Sequence, residues 1–226
     1  IMPSLVGSEM CIRDRYNTAR KGGLIALELN EGDELAWVRL TDGNQQVVVA
    51  TKNGLAIRFE ETDVRPMGRQ ARGVKAISLR EGDCVVGMCV VANDDLILTA
   101  SETGFGRISN VSDYRLQSRG GKGITNYHTE KYGNVAAVSA VKLDEDIIII
   151  SQEGVIIRIA ADTVRICNRP SKGVTLMRIG ENDKVVTVAR APHEDSESEK
   201  TDETAEEETS EENTAPETNA EENTEE

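Results

Sequence analysis

Four cationic clusters recur along the chain at a step of fifty residues: Arg20-Lys21-Gly22-Gly23, Arg69-Gln70-Ala71-Arg72-Gly73, Arg119-Gly120-Gly121-Lys122-Gly123 and Arg169-Pro170-Ser171-Lys172-Gly173. Arg65, Arg115 and Arg165 precede the last three in the same register. A guanidinium offers a fork of donors that fits phosphate oxygens, an ammonium adds a point charge, and glycine lets backbone N–H groups come close. A regular row of such groups suits a polyanionic backbone better than a single anion. Aromatic residues do not interleave the clusters, so stacking of unpaired bases is disfavoured and a duplex is the expected partner. The candidate contacts are Arg20, Lys21, Arg65, Arg69, Arg72, Arg115, Arg119, Lys122, Arg165, Arg169 and Lys172. The competing reading is that these are solvated loop charges that keep strand edges soluble. Arg58, Arg107 and Arg158 fall inside strand-like runs, where a structural role such as pairing with a carboxylate is expected.

Other chemistries find little support. Cys11, Cys84, Cys89 and Cys167 form no C-x-x-C pair and have no histidine at ligand spacing, which argues against zinc. Cys84 and Cys89 should face opposite sides of one strand, so no disulfide is expected between them, and reduced thiols fit a cytoplasmic chain. His128 and His193 are the only histidines; His193 is expected to open the tail, and no plausible geometry for a Ser-His-Asp site is seen. Asp144-Glu145-Asp146 is expected in a turn, interrupting an apolar edge. There is no run of eighteen apolar residues to cross a membrane.

The fifty-residue step identifies the elements that must position the cations. Gly23-Leu24, Gly73-Val74, Gly123-Ile124 and Gly173-Val174 keep it, as do Gly54, Gly104 and Gly154. Glu31-Gly32-Asp33 and Glu81-Gly82-Asp83 repeat and weaken to Glu181-Asn182-Asp183. The apolar runs are short, β-branched and bounded by turn residues, which predicts strands. Hairpins are expected over 47–59, from 96 through Gly104, and over 147–157, each turning at a Thr/Ser-x-x-Gly. A strand over 73–79 and another over 85–91 complete four strands per unit, the content of one propeller blade. With aromatics at 3%, the core must be Val, Ile, Leu and Ala. The register runs from about 17 to 190, roughly three and a half units, and a closed propeller needs more, so a missing first blade is expected. Equivalent positions of a radial array face the same way, which should put the cationic loops on one rim.

The ends are of other kinds. Residues 1–16 match no position of the repeat and have no signal-peptide pattern, so they read as a foreign leader, a cloning scar or a sequencing artefact. Residues 193–226 hold 16 acidic residues against Lys200 and no Val, Ile, Leu or aromatic residue, the composition of a disordered tail. The tail carries −15, and the other 192 residues, with 24 acidic and 25 basic, carry +1.

Several of these motifs, in this order and spacing, resemble the C-terminal domain of the DNA gyrase A subunit: Thr51-Lys52-Asn53-Gly54, Arg58-Phe59, Asp63-Val64-Arg65-Pro66-Met67-Gly68-Arg69, Gly73-Val74-Lys75-Ala76-Ile77, Glu81-Gly82-Asp83 and Arg119-Gly120-Gly121-Lys122-Gly123. The resemblance covers about 17–188. It implies an all-β, propeller-like β-pinwheel of four-stranded blades linked by strand exchange, about three and a half to four of the family's six over 17–192, with the acidic tail beyond. It also implies a non-catalytic module that wraps duplex DNA around a basic rim to support ATP-dependent negative supercoiling. The implied partners are double-stranded DNA and, in an A2B2 assembly, the gyrase B subunit together with the remainder of the gyrase A subunit. The implied setting is the cytoplasm, associated with the nucleoid. No cofactor belongs to this chain, since ATP, Mg and the cleaving Tyr lie elsewhere in such an enzyme, and no metal site is implied here. The family's signature box, of the Gln-Arg-Arg-Gly-Gly-Lys-Gly type, belongs to its first blade. Here the nearest match is the loop of Gln117, Arg119, Gly120, Gly121, Lys122 and Gly123, in a later repeat, which reads as the degenerate copy. The related alternatives are the corresponding domain of topoisomerase IV, acting in decatenation, a propeller scaffold for protein partners, and an enzyme working at a propeller's central channel.

Overall fold

The computed structural model describes residues 21–22, 24–68 and 71–193. The expectations for the leader and the tail, and the candidates Arg20 and Arg69, lie outside the described residues. Among the described residues eleven strands form: β1 (Gln46–Thr51), β2 (Leu55–Glu60), β3 (Val85–Val91), β4 (Leu96–Ser101), β5 (Phe105–Asn110), β6 (Ile124–Thr125), β7 (Val135–Val141), β8 (Glu145–Ser151), β9 (Ile156–Ala160), β10 (Val174–Thr175) and β11 (Val185–Pro192). The helical content among the described residues is one four-residue turn, Thr129–Tyr132, and three single 3-10 turns, Glu61–Asp63, Val111–Asp113 and Ala161–Thr163.

Each unit is built on a hairpin: β1–β2, β4–β5 and β8–β9. The turn residue Gly54 takes φ 80°, its N–H bonds Thr51 O at 3.0 Å, and the Thr51 hydroxyl accepts the Leu55 N–H. Ser101 with Gly104 and Ser151 with Gly154 repeat the arrangement, which explains the Thr/Ser-x-x-Gly spacing. The sheet orders are β3-β1-β2-β6, β10-β5-β4-β7 and β11-β8-β9, all antiparallel. β6 and β10 therefore cross to the hairpin one unit back. β7 packs against β3 on one side and β11 on the other, and Gly87 on β3 lies so close to Val138 that a Cβ would sit 2.7 Å from its carbonyl oxygen. These three strands form the inner edge of the sheets, and the exchanged strands form the outer edge.

Two details differ from the sequence expectation. Residues 73–79 form no strand, and their counterparts β6 and β10 are only two residues long. The third sheet has three strands instead of four. The cause is the exchange itself: an outer strand pairs with the preceding hairpin, and the hairpin that 73–79 would need falls fifty residues before β1–β2, outside the described residues. Residues 24–42, also in the repeat register, form no strand.

The Asp of the Glu-Gly-Asp motif has a clear job. Asp83 accepts N–H bonds from Asn53 at 2.9 Å and from Cys84, clasping the hairpin turn to the entry of β3. Asp183 does the same for Glu153 and Lys184. In the unit between, Gly133 takes that place and the Thr103 hydroxyl bonds Tyr132 O at 2.6 Å instead.

Apolar residues fill the spaces between and on the sheets. Val48, Ala50, Cys89, Ile97, Tyr114 and Val138 join the first sheet to the second, and Leu98, Ile108, Ile147, Ile149 and Val164 join the second to the third. Cys89 is buried, which pushes its thiol up to about 12, while Cys84 lies exposed just before β3, and no disulfide joins them. Asp146 is not in a turn, contrary to expectation. It is the second residue of β8, nearly buried, where it receives the Arg158 Nε–H at 2.6 Å and pairs with His193 Nδ1 at 2.7 Å. His193, expected to open the tail, is thus fixed to the third sheet.

The middle sheet contains a polar layer that its neighbours lack. At one set of repeat positions the first unit has Val49, Ile57, Phe59, Val64 and Ala76, and the third has Ile149, Ile157, Ile159, Val164 and Leu176. The second has Thr99, Arg107, Ser109, Tyr114 and Asn126, all of them at 0% exposure. Arg107 Nε donates to Ser109 Oγ at 3.0 Å, Nη2 to Asn126 O and Oδ1 at 2.6 and 3.0 Å, and Nη1 to Ser171 O at 3.3 Å, with the guanidinium over the Tyr127 ring. Tyr114 donates to Asn126 Oδ1 at 2.6 Å. A buried charge is tolerated when its donors are satisfied.

Candidate nucleic-acid interface

A buried side chain followed by an exposed one places the first set of cations. Each hairpin ends in a 3-10 turn closed by the N–H of Val64, Tyr114 or Val164 to a carbonyl three residues back. Those three side chains enter the core at 0–3% exposure. The next residue in each unit, Arg65, Arg115 or Arg165, is therefore turned to solvent, and all three are exposed. None of them makes an ion pair among the described residues, and the one side-chain contact is a long Arg115 Nη2 to Gln117 Oε1 approach of 3.5 Å. They follow β2, β5 and β9, on the outer side of each sheet.

The loop then crosses to the hairpin one unit back. Gln117 N–H bonds Arg58 O at 2.9 Å and Cys167 N–H bonds Ile108 O at 2.8 Å, with parallel bridges Leu116 to Arg58 and Ile166 to Ile108. Beyond the crossing, the box arginines are committed to the fold. Arg119 Nε donates to Asp63 O at 3.0 Å and Nη1 to Lys75 O at 3.4 Å. Arg169 Nε donates to Asp113 O at 2.8 Å and Nη1 to Thr125 O, each partner fifty residues on from its Arg119 equivalent. Arg169 also lies over the Tyr114 ring, 5.3 Å from its centroid. Both arginines staple a rim loop to carbonyls of the preceding unit, so the sequence grouping of Arg119 and Arg169 with the free cations hides a structural function.

The box glycines serve close approach. Gly123 takes φ 73°, and a Cβ there would lie 2.6 Å from Ala56 O, while at Gly173 it would lie 2.0 Å from Gly106 O. Gly120 N–H bonds Ala76 O at 2.6 Å and Gly121 O accepts the Ser78 N–H. The two lysines differ. Lys122 is exposed, whereas Lys172 is half-buried with its ammonium 3.6 Å from the centre of the Phe105 ring. Lys21 is exposed, and Arg72 is exposed but ion-paired with Glu28 at 2.9 Å, which holds that carboxyl below its usual value. The strand arginines are structural, as expected, with a different set of partners. Arg158 alone meets a carboxylate, Asp146. Arg58 donates to Gln46, Asn93 and the Val111 and Tyr114 carbonyls, and Arg107 to the polar layer. Arg58 and Arg158 share a repeat position; Arg107 sits one residue out of that register, on the opposite face. Nothing about a lone arginine in the sequence announces that layer, but aligning the units at fifty residues shows five polar residues where both neighbours are apolar.

Among the described residues no cluster of His, Cys, Asp and Glu could hold a metal ion, and no helix is long and apolar enough to cross a membrane. Comparison with known proteins settles the lineage. The chain matches the family described as "DNA gyrase C-terminal domain, beta-propeller" at residues 14–42, 45–91, 95–142 and 145–192, one match per unit. The chain belongs to this family. Among curated relatives it is 60% identical over 60 residues to the DNA gyrase A subunit of Halalkalibacterium halodurans and 57% over 60 residues to that of Clostridium acetobutylicum. Each of these alignments covers 26% of this chain and 7% of the relative. Among solved structures it is similar to a C-terminal domain of DNA topoisomerase IV, with TM-score 0.74, 25% identity, and coverage of 79% of this chain and 56% of the other. It is also similar to a DNA gyrase A C-terminal domain, with TM-score 0.68, 29% identity, and coverage of 76% and 59%. The propeller-like all-β architecture expected from the repeats is therefore the architecture of the gyrase C-terminal domain family.

Proposed function

We propose that this chain is the DNA-wrapping module of a DNA gyrase A subunit, bending duplex DNA along its outer edge so that the rest of the enzyme introduces negative supercoils. The observation that carries the reading is the in-register series Arg65, Arg115 and Arg165, each exposed, without a carboxylate partner among the described residues and on the outer side of its sheet. Lys21, Arg72 and Lys122 add exposed charge near the same loops. Phosphate neutralisation supplies the affinity, and the sum of such interactions along the edge offsets the cost of bending the duplex. Catalysis belongs to other parts of an A2B2 assembly, with ATP, Mg and the cleaving Tyr outside this chain, in the bacterial cytoplasm. Six exposed cations acting on phosphates give a slope of log K against log[salt] near −5, from about −0.9 per neutralised phosphate. A titration of a duplex with the full chain checks this, and a slope near zero removes the proposal.

The topoisomerase IV reading is favoured by the higher TM-score to that C-terminal domain. It keeps the same phosphate contacts and changes the outcome to decatenation. Fusing the chain to a gyrase A breakage domain and measuring supercoiling separates the two.

A further inference from the structure

The residue that follows each exposed rim arginine is aliphatic: Arg65-Pro66, Arg115-Leu116 and Arg165-Ile166, in the fifty-residue register. Leu116 is 49% exposed and Ile166 44%, and Pro66 is exposed as well. Leu116 and Ile166 belong to none of the three apolar clusters that fill the sheets. Their exposure is not an effect of the ends of the array, because the Leu116 loop joins the first unit to the second and the Ile166 loop joins the second to the third. We propose that Leu116 and Ile166 pack against deoxyribose rings of the bound duplex and add to the wrap an apolar component that salt does not screen. The proposal rests on the duplex-binding reading above.

The backbone beneath these side chains is fixed. Leu116 bridges to Arg58 and Ile166 to Ile108, and the next N–H groups, of Gln117 and Cys167, bond Arg58 O at 2.9 Å and Ile108 O at 2.8 Å. Ile108 N–H in turn bonds Arg165 O at 3.4 Å. A side chain on an immobile backbone loses little further freedom when a partner packs on it, so more of the burial appears as affinity.

The surrounding charge selects the partner. Residues 114–123 contain Arg115, Arg119 and Lys122, residues 164–173 contain Arg165, Arg169 and Lys172, and neither segment has an acidic residue. An aliphatic spot within a cationic stretch matches a surface on which anionic and hydrocarbon groups alternate. The backbone of a duplex is such a surface, since every phosphate is joined to a deoxyribose whose C4′ and C5′ groups are hydrocarbon. When the long Arg115 or Arg165 side chain reaches a phosphate, the shorter side chain of the next residue meets the sugar beside it. The direction of bending argues against insertion between base pairs: an apolar wedge in the minor groove kinks the duplex toward its major groove, away from the protein, whereas a wrap must close onto the rim. The contact therefore lies on the sugars and reads no sequence.

The test is a titration of a duplex with the full chain at several salt concentrations, at a temperature where circular dichroism shows each variant folded. The Leu116→Ala/Ile166→Ala double variant should bind about 15-fold more weakly, about fourfold per site, the effect of one methylene group's worth of burial at each. Its line of log K against log[salt] should run parallel to that of the parent, since no phosphate contact is lost. Leu116→Asn, close to leucine in size but polar, should weaken binding as Leu116→Ala does. Leu143→Ala, 45% exposed in the turn between β7 and β8, should bind like the parent. Hydroxyl radicals, which cut DNA by taking hydrogen from deoxyribose, should find sugars that the parent protects and the double variant leaves open. Unchanged affinity or a changed slope in the double variant, full affinity in Leu116→Asn, an equal loss in Leu143→Ala, or an unaltered footprint would each overturn the sugar contact. A parent slope near zero removes the duplex reading and this contact with it, while a parent slope near −5 with unchanged affinity in the double variant removes the sugar contact alone.

Discussion

Arg165 and Arg169 lie four residues apart in one loop and should fail in opposite ways. Arg169 joins three segments: its Nε holds Asp113 O, its Nη1 holds Thr125 O, and its guanidinium covers Tyr114. Arg169→Ala leaves two carbonyls without donors. At about 1.5 kcal/mol for each charge-assisted bond in a half-exposed place, with about 0.5 kcal/mol for the ring contact, the loss is about 3.5 kcal/mol. For a domain of this size that corresponds to a Tm lower by about 7–14 °C. Arg165 is exposed and makes no ion pair among the described residues, so Arg165→Ala should change stability by less than about 0.5 kcal/mol. Its effect should be seen in DNA binding, where the salt slope becomes shallower by about 0.9. Differential scanning calorimetry and a duplex titration at several salt concentrations, both on the full chain and at a temperature where each variant is folded, read the two quantities separately. Arg169→Ala should keep the parent slope. If Arg169→Ala melts like the parent, or if Arg165→Ala leaves the slope untouched while Arg169→Ala flattens it, the division of this loop into a staple and a phosphate contact is wrong.

The polar layer of the middle sheet should be all-or-none. Asn126→Leu, the residue of the third unit, removes acceptors from the buried Arg107 and should destabilise by about 3–5 kcal/mol, whereas the joint change Thr99→Ile, Arg107→Ile, Ser109→Ile, Tyr114→Val and Asn126→Leu should be neutral or stabilising in urea denaturation. Gly173→Ala should destabilise far more than Gly154→Ala: both have positive φ, but only the first Cβ meets backbone, at 2.0 Å from Gly106 O. The Asp146 carboxyl is held below its usual value, first by the His193 hydrogen bond and then by Arg158, against the opposing effect of burial. Because the unfolded chain takes up that proton first, the stabilisation is present above about pH 4 and lost as pH falls through the lower folded value. The stability gap between the parent and Asp146→Asn should accordingly narrow in urea midpoints measured below pH 4. Deleting residues 194–226, which carry 16 of the chain's 40 acidic residues, should tighten DNA binding most at low ionic strength; an unchanged Kd would leave the tail as a solubilising appendage.

The fifty-residue step alone located the hairpins, their Gly-closed turns and the three in-register arginines, because these depend on local geometry: a turn needs its glycine wherever it occurs, and an arginine after a buried turn residue must face out. Strand content along 73–79 was not legible in the same way. Whether an extended segment becomes a strand depends on a partner hairpin, and the exchange takes that partner from another unit. Asp146 shows the same limit. Three acidic residues in a row suggest a turn, yet the central strand of the third sheet extends into them because Arg158 pairs with the one that points inward and His193 hydrogen-bonds it.

A modular β chain with cations at each boundary follows from the order of residues, since period, turn chemistry and charge are properties of the string. Which cations are available to a ligand is a property of the folded molecule. Arg119 and Arg169 look like Arg65, Arg115 and Arg165 in sequence, but folding brings carbonyls of the preceding unit within reach of the first two and leaves the other three facing water. A guanidinium takes whatever acceptor the fold presents, and for Arg119 those acceptors lie 56 and 44 residues away in the chain.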